Sequence, residues 1–277
     1  MQNVTASEDC LFLNIWVRKA SFDSGKKVPI MFWVHGGAFA EGSASETRFN
    51  GTMMAAYEDI IYVSVQYRLG PLGFLYMDEK LVTGNMGLWD QVEALKWISE
   101  NILAFGGDPE RITVSGQSAG AASVSLLTLS PVTSPYISQA IFQSGSALSS
   151  FATTTKQQAL KRTEKVFGQL AIRYPKKCGR ALSESQNPTD EDKYACLQEA
   201  DAGFLTSLLQ YFAIEIGEGF SSGAIDNIAF CPIIDGNLIV DDPLKTITEG
   251  SFKPVPVLTG ATKDEGTMFF QYSIPVI

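Results

Sequence analysis

Residues 112–123 read Ile-Thr-Val-Ser-Gly-Gln-Ser-Ala-Gly-Ala-Ala-Ser. A short apolar, β-branched run enters a pair of spaced glycines and leaves as small, helix-compatible residues, which predicts a strand, a sharp turn and a helix. At the centre stands Gly116-Gln117-Ser118-Ala119-Gly120. Glycines at 116 and 120 remove side chains where strand and helix crowd together. The serine between them is expected to project at the top of the strand, beside the positive end of the following helix. That is the arrangement of a nucleophile elbow. The same five residues also describe an ordinary strand–loop–helix with a capping serine, so the surrounding sequence has to decide.

Outward from this point, short apolar runs alternate with helical patterns. Strands are expected at 10–17, 29–34, 60–65, 112–115, 139–143 and 255–259, several of them apolar on both faces as buried parallel strands are. Between 87 and 105, Leu88, Val92, Leu95, Ile98 and Ile102 fall on one helical face, and Gly106-Gly107 closes the segment. A further helix is expected from Ser118 to about Thr128, stopped by Pro131. The alternation predicts an α/β fold with a mostly parallel central sheet and helices on both faces. Residues 150–223 change character to polar and helical and are expected to be a helical insertion capping the C-terminal edge of the sheet. No Gly/Ser linker marks a boundary, so residues 1–277 are read as one domain.

A second signal is Trp33-Val34-His35-Gly36-Gly37-Ala38-Phe39, again directly after a strand. Paired glycines expose backbone N–H groups, and such a loop, joined by the N–H of Ala119, suits an oxyanion hole. Alone it is a tight Gly-Gly turn. His35 is the only histidine in the chain and the only internal candidate for a base. On this kind of fold, however, a triad runs Ser, then Asp or Glu, then His in chain order. His35 precedes the serine and is read as a support of the glycine loop.

Composition bounds the partners. The formal net charge is −9, and the pI is near 4.7. This argues against nucleic acid and anionic membrane surfaces. The longest apolar run, residues 28–34, is strand-sized, too short for a bilayer. Two N-glycosylation sequons, at Asn3 and Asn50, lean towards secretion or the ER lumen, although residues 1–7 are polar and form no signal peptide. Of the four cysteines, Cys178 and Cys196 flank a polar, loop-like stretch that a disulfide would close, and Cys231 is expected as a buried thiol. The cysteines lack zinc-finger spacing, so neither a metal nor an organic cofactor is expected.

Two longer stretches make the resemblance specific: Glu8-Asp-Cys-Leu-Phe-Leu-Asn-Ile-Trp16, and Phe105-Gly-Gly-Asp-Pro-Glu-Arg-Ile-Thr-Val-Ser-Gly-Gln-Ser-Ala-Gly120. Both resemble signatures of the type-B carboxylesterase/cholinesterase family. Gln66-Tyr-Arg-Leu-Gly70, Asn85-Met-Gly-Leu-Trp-Asp-Gln91, Phe142-Gln-Ser-Gly-Ser146, Pro232-Ile-Ile-Asp-Gly236 and Lys263-Asp-Glu-Gly266 are similar too, and follow in the family's order. The resemblance implies an α/β-hydrolase fold and hydrolysis of a small-molecule ester through an acyl-serine intermediate. It implies Ser118 as nucleophile, Gly37, Ala38 and Ala119 as oxyanion-hole positions, and Glu265 as triad acid. Read alone, Glu265 is a carboxylate at a helix start.

The resemblance also defines departures. Twelve residues follow Glu265 and none is His, whereas the family's histidine lies well beyond its acid. The chain is therefore expected to be a piece of a larger protein, with negligible activity by itself. The family's partner for Cys10 is likewise absent from this stretch. Gln117 stands where many members carry Glu, and Asp226 and Ile228 stand where acetylcholine-selective members carry paired phenylalanines. This implies a different acyl pocket and a carboxylesterase-like substrate range. The alternatives are a non-catalytic adhesion or binding ectodomain, and a truncated pseudo-enzyme whose open sheet edge would aggregate. Retention of serine, acid and loop glycines favours the enzyme. Oligomeric state and membrane anchoring are not set by this stretch.

Overall fold

The computed structural model describes residues 7–184, 188–213 and 228–267. The sheet has the order β1-β3-β2-β4-β5-β6, formed by β1 (Leu13–Trp16), β2 (Val28–Val34), β3 (Ile61–Val65), β4 (Gly107–Gln117), β5 (Gln139–Gln143) and β6 (Val257–Gly260). β1 runs antiparallel to β3, and every other pairing is parallel. The helices are α1 (Lys19–Asp23), α2 (Thr52–Tyr57), α3 (Gly70–Phe74), α4 (Met86–Asn101), α5 (Ala119–Leu129), α6 (Lys156–Arg173), α7 (Asp190–Glu199), α8 (Ala202–Tyr211) and α9 (Pro243–Glu249). This is the α/β-hydrolase arrangement: a mostly parallel sheet with flanking helices.

The strands form where the sequence expects them, with shifted ends. β1 is shorter than the predicted 10–17, and β4 is longer than 112–115 because Gly107 also pairs, with Val28. Between Val28 and Ile30 the register slips. Pro29 sits at the slip and has no N–H to offer the ladder. All five residues of β3 are buried, so both of its faces are covered. In α4 the predicted stripe Leu88, Val92, Leu95 and Ile98 is buried, and Ile102 is buried in the 3₁₀ turn that follows.

α5 begins one residue later than predicted, at Ala119, and ten of its eleven residues are buried. It can lie this close to the sheet because its first turn is small. A Cβ on Gly120 would sit 2.2 Å from the Val34 carbonyl oxygen, and one on Gly116 would sit 2.4 Å from Gly120. Both glycines are thus demanded by close approach rather than by φ.

Within 150–223 the described residues include α6, α7 and α8. α6 opens with a capping box between Thr155 and Gln158. A π-helical turn, Pro175–Glu184, leads towards α7. α8 packs on α3, with Leu209 Cδ1 3.0 Å from where a Cβ on Gly70 would lie. Since α3 follows closely on the C-terminal end of β3, α8 lies at that end of the sheet.

Two clamps join distant segments. Arg68 makes a two-pronged contact with Asp90 of α4, Nε–Oδ2 2.8 Å and Nη2–Oδ1 2.6 Å. Asn85, buried and left-handed at φ 59°, accepts from the Ile233 N–H at 2.8 Å and donates to the Ile233 carbonyl and to Asp235 Oδ2, each at 2.9 Å. These contacts account for two stretches that carried the resemblance without an obvious chemical role: residues 85–91 and 232–236.

Candidate active site

The parallel register aligns strand ends into one row. Val34 pairs with Gly116, Gln117 with Gln143, and Gln143 with Gly260. The loops that start at His35, Ser118, Ser144 and Ala261 therefore emerge side by side at the C-terminal edge of the sheet, where such folds gather functional groups.

Ser118 has φ 56° and ψ −122°, a conformation L-residues seldom occupy, and its side chain makes no capping hydrogen bond to α5. The capping-serine alternative is thereby removed. The strained backbone is held from both sides: the Ser118 N–H donates to the Gln143 carbonyl, and its carbonyl accepts from the Ala122 N–H, both at 2.9 Å. Such strain costs about 1–3 kcal/mol and persists where surrounding structure enforces it.

The glycine loop lies against this turn. A Cβ on Gly36 would come within 2.6 Å of the Gln117 carbonyl oxygen and 3.1 Å of Ser118 Cβ. Beyond it Gly37 (φ 117°), Ala38 (φ 54°) and Phe39 (φ 57°) are all left-handed. The Gly37 carbonyl accepts from the N–H groups of Ala40 and Glu41 at 2.9 and 3.0 Å. From below, the Gly70 N–H donates to the Phe39 carbonyl at 2.7 Å, and Phe39 packs edge-on against Phe74 at 5.1 Å.

His35 is fully buried within this loop. Its Nδ1 lies 2.8 Å from the Gly36 carbonyl oxygen, and its ring stacks on Tyr67 at 4.5 Å. The Tyr67 hydroxyl donates to the His35 carbonyl at 2.9 Å. Burial lowers the His35 pKa, against the backbone bond to Gly36 and the charge of Glu46, with Arg48 adding to the lowering. The imidazole is therefore neutral at pH 7.

Glu265 reaches the same edge from the loop after β6. Hydrogen bonds from Ser144 and then Thr262 hold its carboxyl below the usual carboxylate range. Thr262 offers its backbone N–H at 3.0 Å and its hydroxyl to the same oxygen, Oε2. Ser144 follows Gln143, the residue that anchors Ser118, and its own N–H donates to the Gly260 carbonyl at 2.8 Å. Ser118 and Glu265 are thus connected through the ends of β5 and β6. Sequence reading singled out neither Ser144 nor Thr262. The available signal was the quoted stretch 142–146, to which no role had been given.

The other candidates fare unevenly. Gln117 is half-buried, with its Oε1 2.9 Å from where a Cβ on Gly36 would lie. Ile228 is buried in the main core. Asp226 lies outside the described residues. No cluster of three or more potential metal ligands occurs among the described residues.

A sharp serine turn at the end of a central parallel strand, facing a left-handed glycine loop, defines an α/β hydrolase. The sequence model of the carboxylesterase family matches residues 1–276. The chain is 37% identical over 275 residues to acetylcholinesterase 1 of Caenorhabditis elegans, covering 99% of this chain and 42% of that protein. It is 37% identical over 270 residues to cholinesterase 1 of Branchiostoma lanceolatum, covering 97% and 70%. It is 35% identical over 274 residues to mouse cholinesterase, covering 99% and 42%. The chain belongs to the carboxylesterase family, and it spans under half the length of the nematode and mouse relatives.

Proposed function

We propose that the protein hydrolyses a small carboxylic ester through an acyl-serine intermediate on Ser118. The observation that carries this reading is the strained, uncapped Ser118 at the end of β4 with the Gly36–Gly37 loop packed against it. In the proposed cycle an imidazole takes the Ser118 proton as Oγ attacks the ester carbonyl. The N–H groups of Gly37, Ala38 and Ala119 stabilise the charge on the carbonyl oxygen, and the imidazolium then protonates the departing alcohol. Water repeats the sequence on the acyl-enzyme. Glu265, held ionised by Ser144 and Thr262, orients the imidazole and stabilises its cation.

The imidazole is supplied from outside residues 1–277, because His35 is committed to the glycine loop. A neutral Gln117 beside the nucleophile, with Asp226 and Ile228 at the acyl-pocket positions, favours a carboxylesterase-like range over acetylcholine. The relatives named acetylcholinesterase make the opposite selectivity the outcome to exclude. The exposed sequon at Asn50 and the adjacent Cys178 and Cys196 thiols support a glycosylated, disulfide-bonded protein of the secretory route. Among the described residues no helix is long and apolar enough to cross a membrane.

The test compares p-nitrophenyl butyrate with acetylthiocholine as substrates of the full-length protein, of its Ser118→Ala variant, and of the 277-residue chain. Expected is turnover of the nitrophenyl ester by the full-length protein, its loss in Ser118→Ala, and negligible turnover by the chain alone. Ordinary turnover by the isolated chain, abolished by Ser118→Ala, would refute the external base. A full-length protein that hydrolyses neither ester would instead place the protein among non-catalytic binding ectodomains.

A further inference from the structure

We propose that His35 is a positioning residue that aims the oxyanion donor of Gly37, a role that rests on the ester-hydrolase reading above. The argument begins with the peptide unit. A trans peptide is planar, so the Gly36 carbonyl and the Gly37 N–H point in opposite directions from one rigid plate. Whatever holds the carbonyl also fixes where the N–H points. His35 Nδ1 lies 2.8 Å from that carbonyl oxygen. A carbonyl only accepts, so Nδ1 carries the hydrogen and Nε2 is left as a bare acceptor.

The surroundings agree with this tautomer. Nε2 is buried with no hydrogen-bond partner among the described residues. An Nε2–H there would be an unsatisfied buried donor, and a protonated ring an unpaired buried charge. Tyr67 fixes the plane of the ring by stacking at 4.5 Å and holds the preceding carbonyl with its hydroxyl. The bond also depends on Gly42. At φ 109°, a Cβ there would sit 2.6 Å from both the Gly36 oxygen and His35 Nδ1, driven between the two partners.

All three candidate donors belong to peptides held from the carbonyl side. The peptide bearing the Ala38 N–H is held by Ala40 and Glu41 on the Gly37 carbonyl, and the one bearing the Ala119 N–H by Ala122 on the Ser118 carbonyl. Those two are held by backbone groups. The peptide bearing the Gly37 N–H is held by a side chain, so a substitution can release it. A donor misaimed in this way costs reaction rate rather than substrate binding, because the oxyanion exists only as the carbonyl is attacked.

The experiment has two arms. His35 is the chain's one histidine, so ¹⁵N-histidine labelling of the 277-residue chain gives a single imidazole. Expected is a neutral ring protonated at Nδ1, with the bond lost in Gly42→Ala. In the full-length protein, His35→Asn keeps an amide donor near the Nδ1 position, whereas His35→Leu removes it and His35→Gln moves it outward. Expected is a kcat within about 5-fold of the parent for His35→Asn and about 100-fold lower for His35→Leu and His35→Gln, with KM within about 3-fold throughout. A ring protonated at Nε2, or a His35→Leu variant with unchanged kcat, overturns the proposal. So does equal loss in all three variants with matching loss of thermal stability, which would mark His35 as packing alone. If the parent hydrolyses no ester while the ring is protonated at Nδ1, the esterase reading fails and the hold on the loop stands.

Discussion

At the residue scale, the site depends on backbone conformations that most side chains avoid. Ser118, Ala38 and Phe39 all have φ between 54° and 57°; hydrogen bonds from Gln143 and Ala122 hold Ser118, one from Gly70 holds Phe39, and those of Ala40 and Glu41 hold the Gly37 carbonyl just before Ala38. His35 shows how one buried group ties such a loop to pH. Its folded-state pKa lies below the ordinary 6.5, so between the two values the unfolded chain binds a proton that the folded chain does not. Stability is then full above 6.5 and falls as pH drops below it, until the lowered folded pKa is reached. The slope is at most about 1.4 kcal/mol per pH unit. Urea unfolding at pH 7.5, 6.5 and 5.5 should show this loss in the parent chain and a flatter profile in His35→Asn. A parent profile already flat over this range would mean that the ring is solvated in the folded state.

At the element scale, two junctions decide the geometry. The first is the contact between α5 and the strand ends, where Gly116 and Gly120 bring helix and sheet within backbone contact. The second is where the π-helical turn carrying Cys178 packs on α7, which carries Cys196. Both sulfurs are buried. Burial first, and the Cys178 thiol second, push the Cys196 pKa well up, so the Cys196 thiol is a poor nucleophile in the folded chain. We expect protein from the secretory route to show a Cys178–Cys196 disulfide on non-reducing peptide mapping. Replacing both by Ser should cost about 3 kcal/mol, as for a loop of this order. Quantitative thiol labelling of both residues in denatured secreted protein would rule the bond out. β6 is an outer strand among the described residues, with Val257 49% and Leu258 67% exposed.

At the scale of the whole molecule, clamps tie together segments far apart in sequence. Asn85 is the clearest. It bonds the 233–235 segment across 148 residues of chain, and its left-handed backbone suits Asn better than most residues. Asn85→Ala removes three hydrogen bonds and strands the buried Ile233 N–H, so a loss of about 2–4 kcal/mol is expected. Asn85→Asp retains the acceptor for Ile233 but brings a second carboxylate to Asp235, and should also destabilise, most strongly above the carboxylate pKa range. Thermal melts of both variants at pH 4 and pH 8 check this. An Asn85→Ala variant that melts with the parent would show that the clamp contributes nothing net.

The elbow and the places of the strands along the chain were legible in sequence because each rests on local rules: β-branched runs make strands, an apolar stripe makes α4, and glycines mark where backbones meet. Ser118, Gly37, Ala38, Ala119 and Glu265 could be named as candidates because the family resemblance places those residue types at fixed points along such a chain. Three things were not legible. The ends of β1 and β4 are set by pairing partners rather than by composition. The Ser144 and Thr262 bonds to Glu265 arise only when the ends of β5 and β6 lie side by side. The hold of His35 on the Gly36 carbonyl needs Tyr67 stacked behind it and Gly42 left without a side chain. By itself, the sequence determined which residue types stand at which strand ends. The tertiary structure decided which of them share one edge and which peptide planes are locked, because parallel register, not chain order, brings those ends together.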